Sequence, residues 1–219
     1  MNILGVDIGG TNLKFRSQRQ EDVIKVPSGP RMTPEFMMKA IHQHTAGWKY
    51  DHVSVGFPGP VIHDRPLLEP HNLGKGWVRF DFTKAFGGKP LKLLNDAAMQ
   101  ALGSYNGGRM LYLGLGTGLG SAMVVDGHVQ AMELAHLPWK KRKSYEDYLG
   151  KAGLKRYGRK AWEKNVLRVI ELMSNAMETD YVVLGGGNAK LVRELPPHVT
   201  VGSNDNAFKG AFQLWESEK

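Results

Sequence analysis

Residues 1–15 read MNILGVDIGGTNLKF. Two short apolar runs flank an acid, two glycines and a threonine. Ile3–Asp7 and Leu13–Arg16 read as strands joined by a glycine turn. Glycines allow a tight bend and let the backbone approach a ligand with no Cβ in the way. Successive N–H groups at such a turn can surround an anion, and Thr11 adds a hydroxyl donor. Asp7 beside a phosphate would repel it unless a cation lies between. The segment reads either as a plain hairpin or as a phosphate-facing turn with Asp7 serving a Mg²⁺ ion through water.

The same design recurs at LGLGTGLGSAMVVDG, residues 113–127, in the second half of the chain. Gly116, Thr117, Gly118 and Gly120 form the matching glycine–threonine turn, and Asp126-Gly127 is a hairpin signal. A third close approach is offered by Gly185-Gly186-Gly187 after the apolar run Tyr181–Leu184. Neither GxxxxGK[ST] nor GxGxxG is present, so the two folds those motifs mark lack support. Each half runs strand–strand–strand and then helices, which points to two α/β lobes with a ligand cleft between them.

Other elements follow from spacing. Thr33-Pro34 starts a helix, with Phe36, Met37, Ala40 and Ile41 on its apolar stripe. Lys92–Leu94 and Met110–Leu115 read as strands. Ala97–Tyr105, Tyr145–Tyr157, Arg159–Ala176 and about 207–215 read as helices. Leu94-Asn95-Asp96-Ala97 sits where a strand gives way to a helix. Either residue can cap that helix; alternatively Asp96 accepts a proton from a substrate hydroxyl while Asn95 holds a neighbouring hydroxyl. Glu133 and His136, three apart, can share a polyol or form a surface pair. Glu146 is a third polar candidate, with a solvated helix face as its plain reading.

The bulk properties bound the rest. The chain has 219 residues, 42% of them hydrophobic and 23% charged, ordinary for a soluble globular protein. No apolar run approaches the roughly 20 residues that span a bilayer, and the N-terminus lacks the basic start of a signal peptide. There are no cysteines, which excludes disulfides and thiolate zinc and suits a cytoplasmic protein. Net charge is +8, so an anionic partner is expected, and no nucleic-acid-binding signature appears. The charge concentrates in Trp139–Lys164, with ten Lys or Arg against three acids.

Taken in order, DIGGT, FPGPV, NLGKGW, LNDA, LGLGTGLG, ELAH and LGGG resemble the ROK sugar kinases of the actin-like ATPase superfamily. Within that family the chain most resembles the short, cysteine-free polyphosphate/ATP glucokinases. The resemblance implies two ribonuclease-H-like lobes, residues 1–97 and 98–206, with a C-terminal helix at about 207–219 returning to the first. It implies Asp96 as catalytic base and Asn95, Glu133, His136 and Glu146 as sugar ligands. Asp7, Gly9, Gly10 and Thr11 would form one phosphate hairpin, Gly116, Thr117, Gly118 and Gly120 the other, with Gly186 and Gly187 at the nucleotide. Mg²⁺ at Asp7, ATP or polyphosphate as donor, a sugar acceptor and a homodimer complete the expectation, with no zinc, nucleic acid or membrane. Two departures bear on it: the family's cysteine-rich zinc motif is absent, and Ala135 replaces the glycine of ELGH. ROK repressors share these motifs behind an N-terminal DNA-binding domain, which a chain opening on the hairpin is not expected to carry. A kinase for another sugar, or a non-catalytic sugar- or nucleotide-binding protein, remains as the alternative.

Overall fold

The structure is a computed structural model and describes residues 1–203 and 205–216. The chain forms two compact units: Met1–Met99 with the segment from Ala207 onward, and Gln100–Asn206. Among the described residues no helix is long and apolar enough to cross a membrane.

The first unit is built on a sheet of β1 (Ile3–Ile8), β2 (Asn12–Ser17), β3 (Ile24–Pro27), β4 (His52–Phe57) and a later strand, Leu91–Asn95. Between the last two lie a short ribbon, β5 (Val61–Ile62) and β6 (Arg65–Pro66), so the Leu91–Asn95 strand is β7. The order is β3-β2-β1-β4-β7, with β1 to β3 an antiparallel meander and β4 and β7 parallel to β1. β1 is buried along its whole length, as expected of a strand covered on both faces. One cover is α1 (Pro34–His44), whose N-cap is Thr33, its hydroxyl accepting from the Phe36 amide. Met37, Met38, Ala40 and Ile41 face the core, whereas Phe36 is 51% exposed. Phe36 was read as part of the apolar stripe, but the stripe is centred on 37, 40 and 41, and position 36 falls beside it. A small helix, α2 (Phe82–Ala85), closes the connection to β7.

From β7 the chain enters α3 (Asp96–Ser104), which straddles the division between the units. The second sheet contains β8 (Arg109–Leu115), β9 (Leu119–Val125), β10 (His128–Met132), β11 (Tyr181–Gly185) and β12 (Val199–Val201). Its order, β10-β9-β8-β11-β12, repeats the first sheet strand for strand, again with three antiparallel strands and two parallel additions. The repeat legible at the two glycine turns therefore extends to whole sheets. Asp126 and Gly127 both have positive φ at the β9–β10 turn, as a two-residue hairpin loop requires.

The helical region between β10 and β11 differs from expectation in one place. The sequence pattern predicts one helix over Tyr145–Tyr157, but α4 (Tyr145–Leu149) stops at Gly150, and α5 (Lys151–Met177) starts afresh. Gly150 is extended (φ −71°, ψ 175°), and α4 has its own capping box between Ser144 and Asp147. The break expected at Gly158 is present, with φ 74° and ψ 161° inside α5. Trp162, Val166, Val169, Ile170 and Met173 line the buried face of α5 against Leu111, Leu113, Val182 and Leu184. α6 (Asn206–Gln213) packs on the first sheet, where a Cβ on Gly5 would meet Phe208 and Ala211 at 3.0 and 3.2 Å. The Ser54 hydroxyl donates to the Ala211 carbonyl at 2.6 Å. Residues 217–219, the end of the helix expected from sequence, lie outside the described residues.

Trp162 is fully buried, and its indole N–H donates to the Leu149 carbonyl at 2.8 Å, tying α5 to α4 across the Gly150 break. Trp162→Ala is expected to cost about 3–5 kcal/mol, as large core truncations do. Phe36→Ala, at an exposed position, should stay within about 0.5 kcal/mol. Urea denaturation midpoints check both; comparable losses in the two variants would contradict the assignment of the core.

Candidate active site

The first glycine turn lies at the C-terminal end of β1. Asp7 is 3% exposed and stands directly across from Lys14 on β2, whose Nζ is 3.0 Å from Asp7 Oδ2. The turn closes with the Gly9 N–H donating to the Asn12 carbonyl at 3.0 Å. A Cβ on Gly9 would stand 2.8 Å from that same carbonyl oxygen, so only glycine fits without a shift. A Cβ on Gly10 would come within 3.3 Å of Asn72. Ser28 braces the turn, its hydroxyl donating to the Gly9 carbonyl and its amide to the Thr11 carbonyl. Thr11 is exposed at the tip.

The NLGKGW segment is organised by a residue that sequence reasoning passed over. The Glu69 carboxylate accepts from the backbone amides of Gly76, Trp77 and Val78 at 3.0, 3.1 and 3.3 Å. The Trp77 indole, fully buried, donates to the Gly74 carbonyl. Asn72 is thereby held against Gly10. Lys14 and Asn72 are further polar residues at this turn missing from the sequence reading. A symmetric turn about Gly10-Thr11 would have placed Lys14 opposite Asp7; Asn72 is distant in sequence and carried no such signal.

At the end of β7, the two readings of Asn95 and Asp96 separate. Asn95 is 7% exposed, and its Oδ1 accepts from the amides of Ala97 (2.9 Å) and Ala98 (3.2 Å), while its Nδ2 donates to the Gly59 carbonyl (3.1 Å). It caps α3 and ties down the FPGP turn, and one amide proton is left for a ligand. Asp96, half-buried as the first residue of α3, directs Oδ1 at the Ala97 amide at 2.8 Å. Strand register puts Asp7 beside Gly56 and Phe57 beside Asn95, so both acids stand at the same edge of the sheet, at strand C-termini. Open α/β sheets place ligands at that edge.

In the second unit, the glycine turn departs from its counterpart. The first hairpin pairs Ile8 with Leu13 across four residues, the second pairs Leu115 with Leu119 across three, closed by Gly116 N–H to the Gly118 carbonyl (3.1 Å). Gly120 lies within β9, opposite Gly114, and not in the turn itself. Two other segments meet the turn. The Lys151 amide, opening α5, donates to the Gly116 and Thr117 carbonyls at 3.2 and 3.1 Å. The Asn188 amide donates to the Leu115 carbonyl (2.9 Å), and its side chain to the Gly116 carbonyl (3.2 Å). Gly186 has φ +78°, and a Cβ there would lie 2.5 Å from the Leu115 carbonyl, whereas one on Gly187 would meet nothing within 4 Å. The first amide of α5 is thus spent on the carbonyls of the glycine turn, and the helical stretch it opens runs only to the break at Gly158.

Glu133 precedes and His136 ends a short 3₁₀ turn, Leu134–His136, and the two face each other with Nε2–Oε2 of 3.7 Å. Both are open to solvent, with side chains 45% and 64% exposed. Partial desolvation pushes the Glu133 carboxyl above the ordinary range; His136 pulls it down and the negative charge of Glu146 pushes it up. Glu146 itself is bound to the glycine turn: its Oε2 accepts from the Leu119 amide at 3.2 Å, and a Cβ on Gly118 would collide with that oxygen. The structure therefore fastens Glu146 to the second hairpin, with its charge felt at Glu133. Of the basic stretch, Lys140 reaches Asn165 (3.3 Å) and lies 4.0 Å from the Trp139 ring centre, and Lys143 reaches Asp147 (4.0 Å). Lys141 and Arg142, both with positive φ, form an exposed turn with no carboxylate partner among the described residues. Among the described residues no three His, Asp, Glu or Cys side chains cluster as a metal cage.

A sequence model of the ROK family matches residues 3–134, more than half of the chain. The polyphosphate glucokinase of Mycobacterium tuberculosis (strain H37Rv) is 28% identical over 204 residues, covering 84% of this chain and 76% of that protein. The crystal structure of inorganic polyphosphate/ATP-glucomannokinase from Arthrobacter sp. strain KM aligns with a TM-score of 0.83 at 23% identity, covering 100% of this chain and 99% of that one. A ROK family transcriptional regulator, a homologue of the E. coli MLC protein, aligns with a TM-score of 0.77 at 13% identity, covering 99% and 78%. The shared architecture thus serves proteins named as kinases and one named as a regulator, and likeness of fold alone does not separate them.

The charges around Glu133 make a direct test. Glu146→Gln removes a like charge and should lower the Glu133 pKa; His136→Gln removes the opposing influence and should raise it. Carboxyl-carbon NMR titration of the three proteins reads the shifts, and movement in the opposite direction in either variant would refute the arrangement.

Proposed function

Since the chain belongs to the ROK family, we propose that it is a hexose kinase, transferring a phosphoryl group from polyphosphate or ATP to a hydroxyl of a glucose-like sugar. The observation that carries this reading is Asp96. It stands at a strand C-terminus, half-buried, next to an Asn95 whose side chain already caps the helix. Its Oδ1 accepts from the Ala97 amide at 2.8 Å, which fixes the carboxylate at the first position of α3, on the sheet edge where open α/β sheets hold ligands.

In the proposed reaction Asp96 accepts the proton of the sugar hydroxyl as that oxygen bonds to the terminal phosphorus. The bond from phosphorus to the bridging oxygen breaks, and the donor leaves one phosphate shorter. Such transfers are loose and need positioning and charge neutralisation more than covalent help. Asn95 positions Asp96 by fixing the first turn of α3 and the Gly59 carbonyl. Glu133 and His136 hydrogen-bond sugar hydroxyls, and Glu146 acts from the second hairpin, ordering it through Leu119. The glycine turns present N–H groups to the donor phosphates, with Lys14 a further cation beside Asp7.

A Mg²⁺ ion fits in one way only. Asp7 is a buried carboxylate already engaged by Lys14, and the described residues offer no ready cage. An ion arriving with the donor phosphates, held at Asp7 through water, matches the usual binding of Mg²⁺. It would neutralise charge on the phosphate oxygens.

The second reading is a sugar-sensing protein without turnover, favoured by the similarity to a ROK regulator. A binding protein needs no base, so Asp96 discriminates between the two. Asp96→Asn keeps the size and an oxygen for the Ala97 amide. Turnover should fall about 10²-fold or more, the scale of a lost general base, with sugar binding by calorimetry retained. Near-normal turnover would remove Asp96 as base, and absence of activity in wild type with every donor and sugar would favour the sensor.

The donor is tested at the unpaired turn. Lys141→Gln with Arg142→Gln should raise the polyphosphate KM and flatten its salt dependence, because contacts to a polyanion release counterions. ATP, with three phosphates, should be affected far less. An unchanged ratio of kcat/KM for the two donors at low and moderate salt would assign the basic stretch to the solvated surface.

A further inference from the structure

The opposite edge of the first sheet carries a cavity of about 550 Å³ that no part of the proposed reaction uses. It lies at the N-terminal ends of β1 and β4. The length of β1, about 17 Å at roughly 3.3 Å per residue, separates it from Asp7 and the glycine turn. Three cations from three different segments line it: Arg19 after β2, Lys49 after α1, and Lys89 before β7. None has a carboxylate partner among the described residues.

The remaining lining is not that of a simple anion hole. Asp51 also faces the cavity. Its Oδ1 accepts from the Asn2 amide at 2.8 Å and lies 2.6 Å from His52 Nδ1. The His52 ring and the Asn2 amide hold its carboxyl at about 2, so it remains an anionic acceptor at neutral pH. Two aromatic side chains complete the wall. Trp48 is fixed from behind by an edge-on contact with the buried Phe15, ring centres 6.4 Å apart. Tyr50 carries Lys89 over its ring at 5.4 Å.

These features select among ligands. Inorganic phosphate would use the cations but be repelled by Asp51 and leave the rings uncovered. A neutral sugar would use Asp51 and the rings but leave three cations unanswered. A phosphorylated sugar uses all of them: phosphate oxygens on Arg19, Lys49 and Lys89, a hydroxyl donating to Asp51, and the C–H face of the ring on Trp48 or Tyr50. We propose that this cavity is a second binding site, specific for a phosphorylated sugar and separate from the catalytic carboxylate. Where the kinase reading holds, that ligand is the reaction's own product; the binding claim itself does not rest on that reading.

Calorimetry on the full chain without donor tests it, with glucose 6-phosphate as probe and glucose, inorganic phosphate and AMP as comparisons. Glucose 6-phosphate should bind saturably and more tightly than the other three. Its dissociation constant should rise about tenfold or more in Lys49→Gln/Lys89→Gln, and separately in Arg19→Gln, as charged phosphate contacts are lost. With sugar binding at the candidate active site weakened in Glu133→Gln/His136→Gln, a saturable glucose 6-phosphate site that still depends on Arg19, Lys49 and Lys89 should remain, its dissociation constant changed by less than about twofold. Binding that instead follows Glu133 and His136 would overturn the proposal. So would equal binding of inorganic phosphate, tighter binding of AMP, or no saturable binding. A separate assay of sugar phosphorylation tells the two claims apart, since its failure in wild type sinks the kinase reading and leaves the binding result standing.

Discussion

The Asn95 side-chain amide bonds in two directions at once, forward to the Ala97 and Ala98 amides and sideways to the Gly59 carbonyl. It is almost wholly buried, so removing those partners would strand polar atoms at a cost of about 1–3 kcal/mol each. Through it a strand, a helix N-terminus and the turn after β4 become one rigid object. Asp96 inherits its position from that object. A carboxylate in a loop could wander; one at the first position of a capped helix cannot.

The second unit reaches similar rigidity by backbone crowding. Tyr112 and Gly185 lie so close that a Cβ on the glycine would overlap the phenol, and the Tyr112 hydroxyl meets the Gln100 side chain at 2.7 Å. Gly186 then crowds the Leu115 carbonyl, Asn188 donates to the Leu115 and Gly116 carbonyls, and Lys151 donates to the turn beyond. The glycine turn of this unit is thus held from two sides, with the Glu146 carboxylate fastened to it. Different means, a side-chain amide in one sheet and glycine packing in the other, stiffen the same edge of the same topology.

Charge is distributed with the same division of labour. Asp7 is buried and answered by Lys14 on the neighbouring strand. Glu133 and His136 stay open to solvent, where an acceptor and a donor can exchange water for hydroxyls at small cost. The net positive charge is spread over exposed turns and helix faces, where it contributes little to the fold and acts on approaching anions.

Much of this was legible in the amino-acid order. Apolar runs broken by DIGGT and GTGLG declare hairpins, because glycine is cheap only where the backbone must turn or crowd. Thr33-Pro34 declares a helix start, and Asp126-Gly127 a two-residue turn, because each satisfies local geometry with local atoms. The ordered motifs carried the family as well. What the sequence left undecided depends on partners far along the chain. Whether Asn95 or Asp96 caps α3 depends on the distance to Gly59; whether Glu146 faces a sugar or a hairpin depends on where α4 meets Leu119. The short edge strands β3 and β12 exist because a neighbour is there to pair with, and their own residues barely ask for it. Glu69, Asn72 and Asn188 were invisible as site-building residues for the same reason. Local propensity determines where a chain bends and which face it buries; only the folded sheet decides which polar atoms have already been spent and which are left to act.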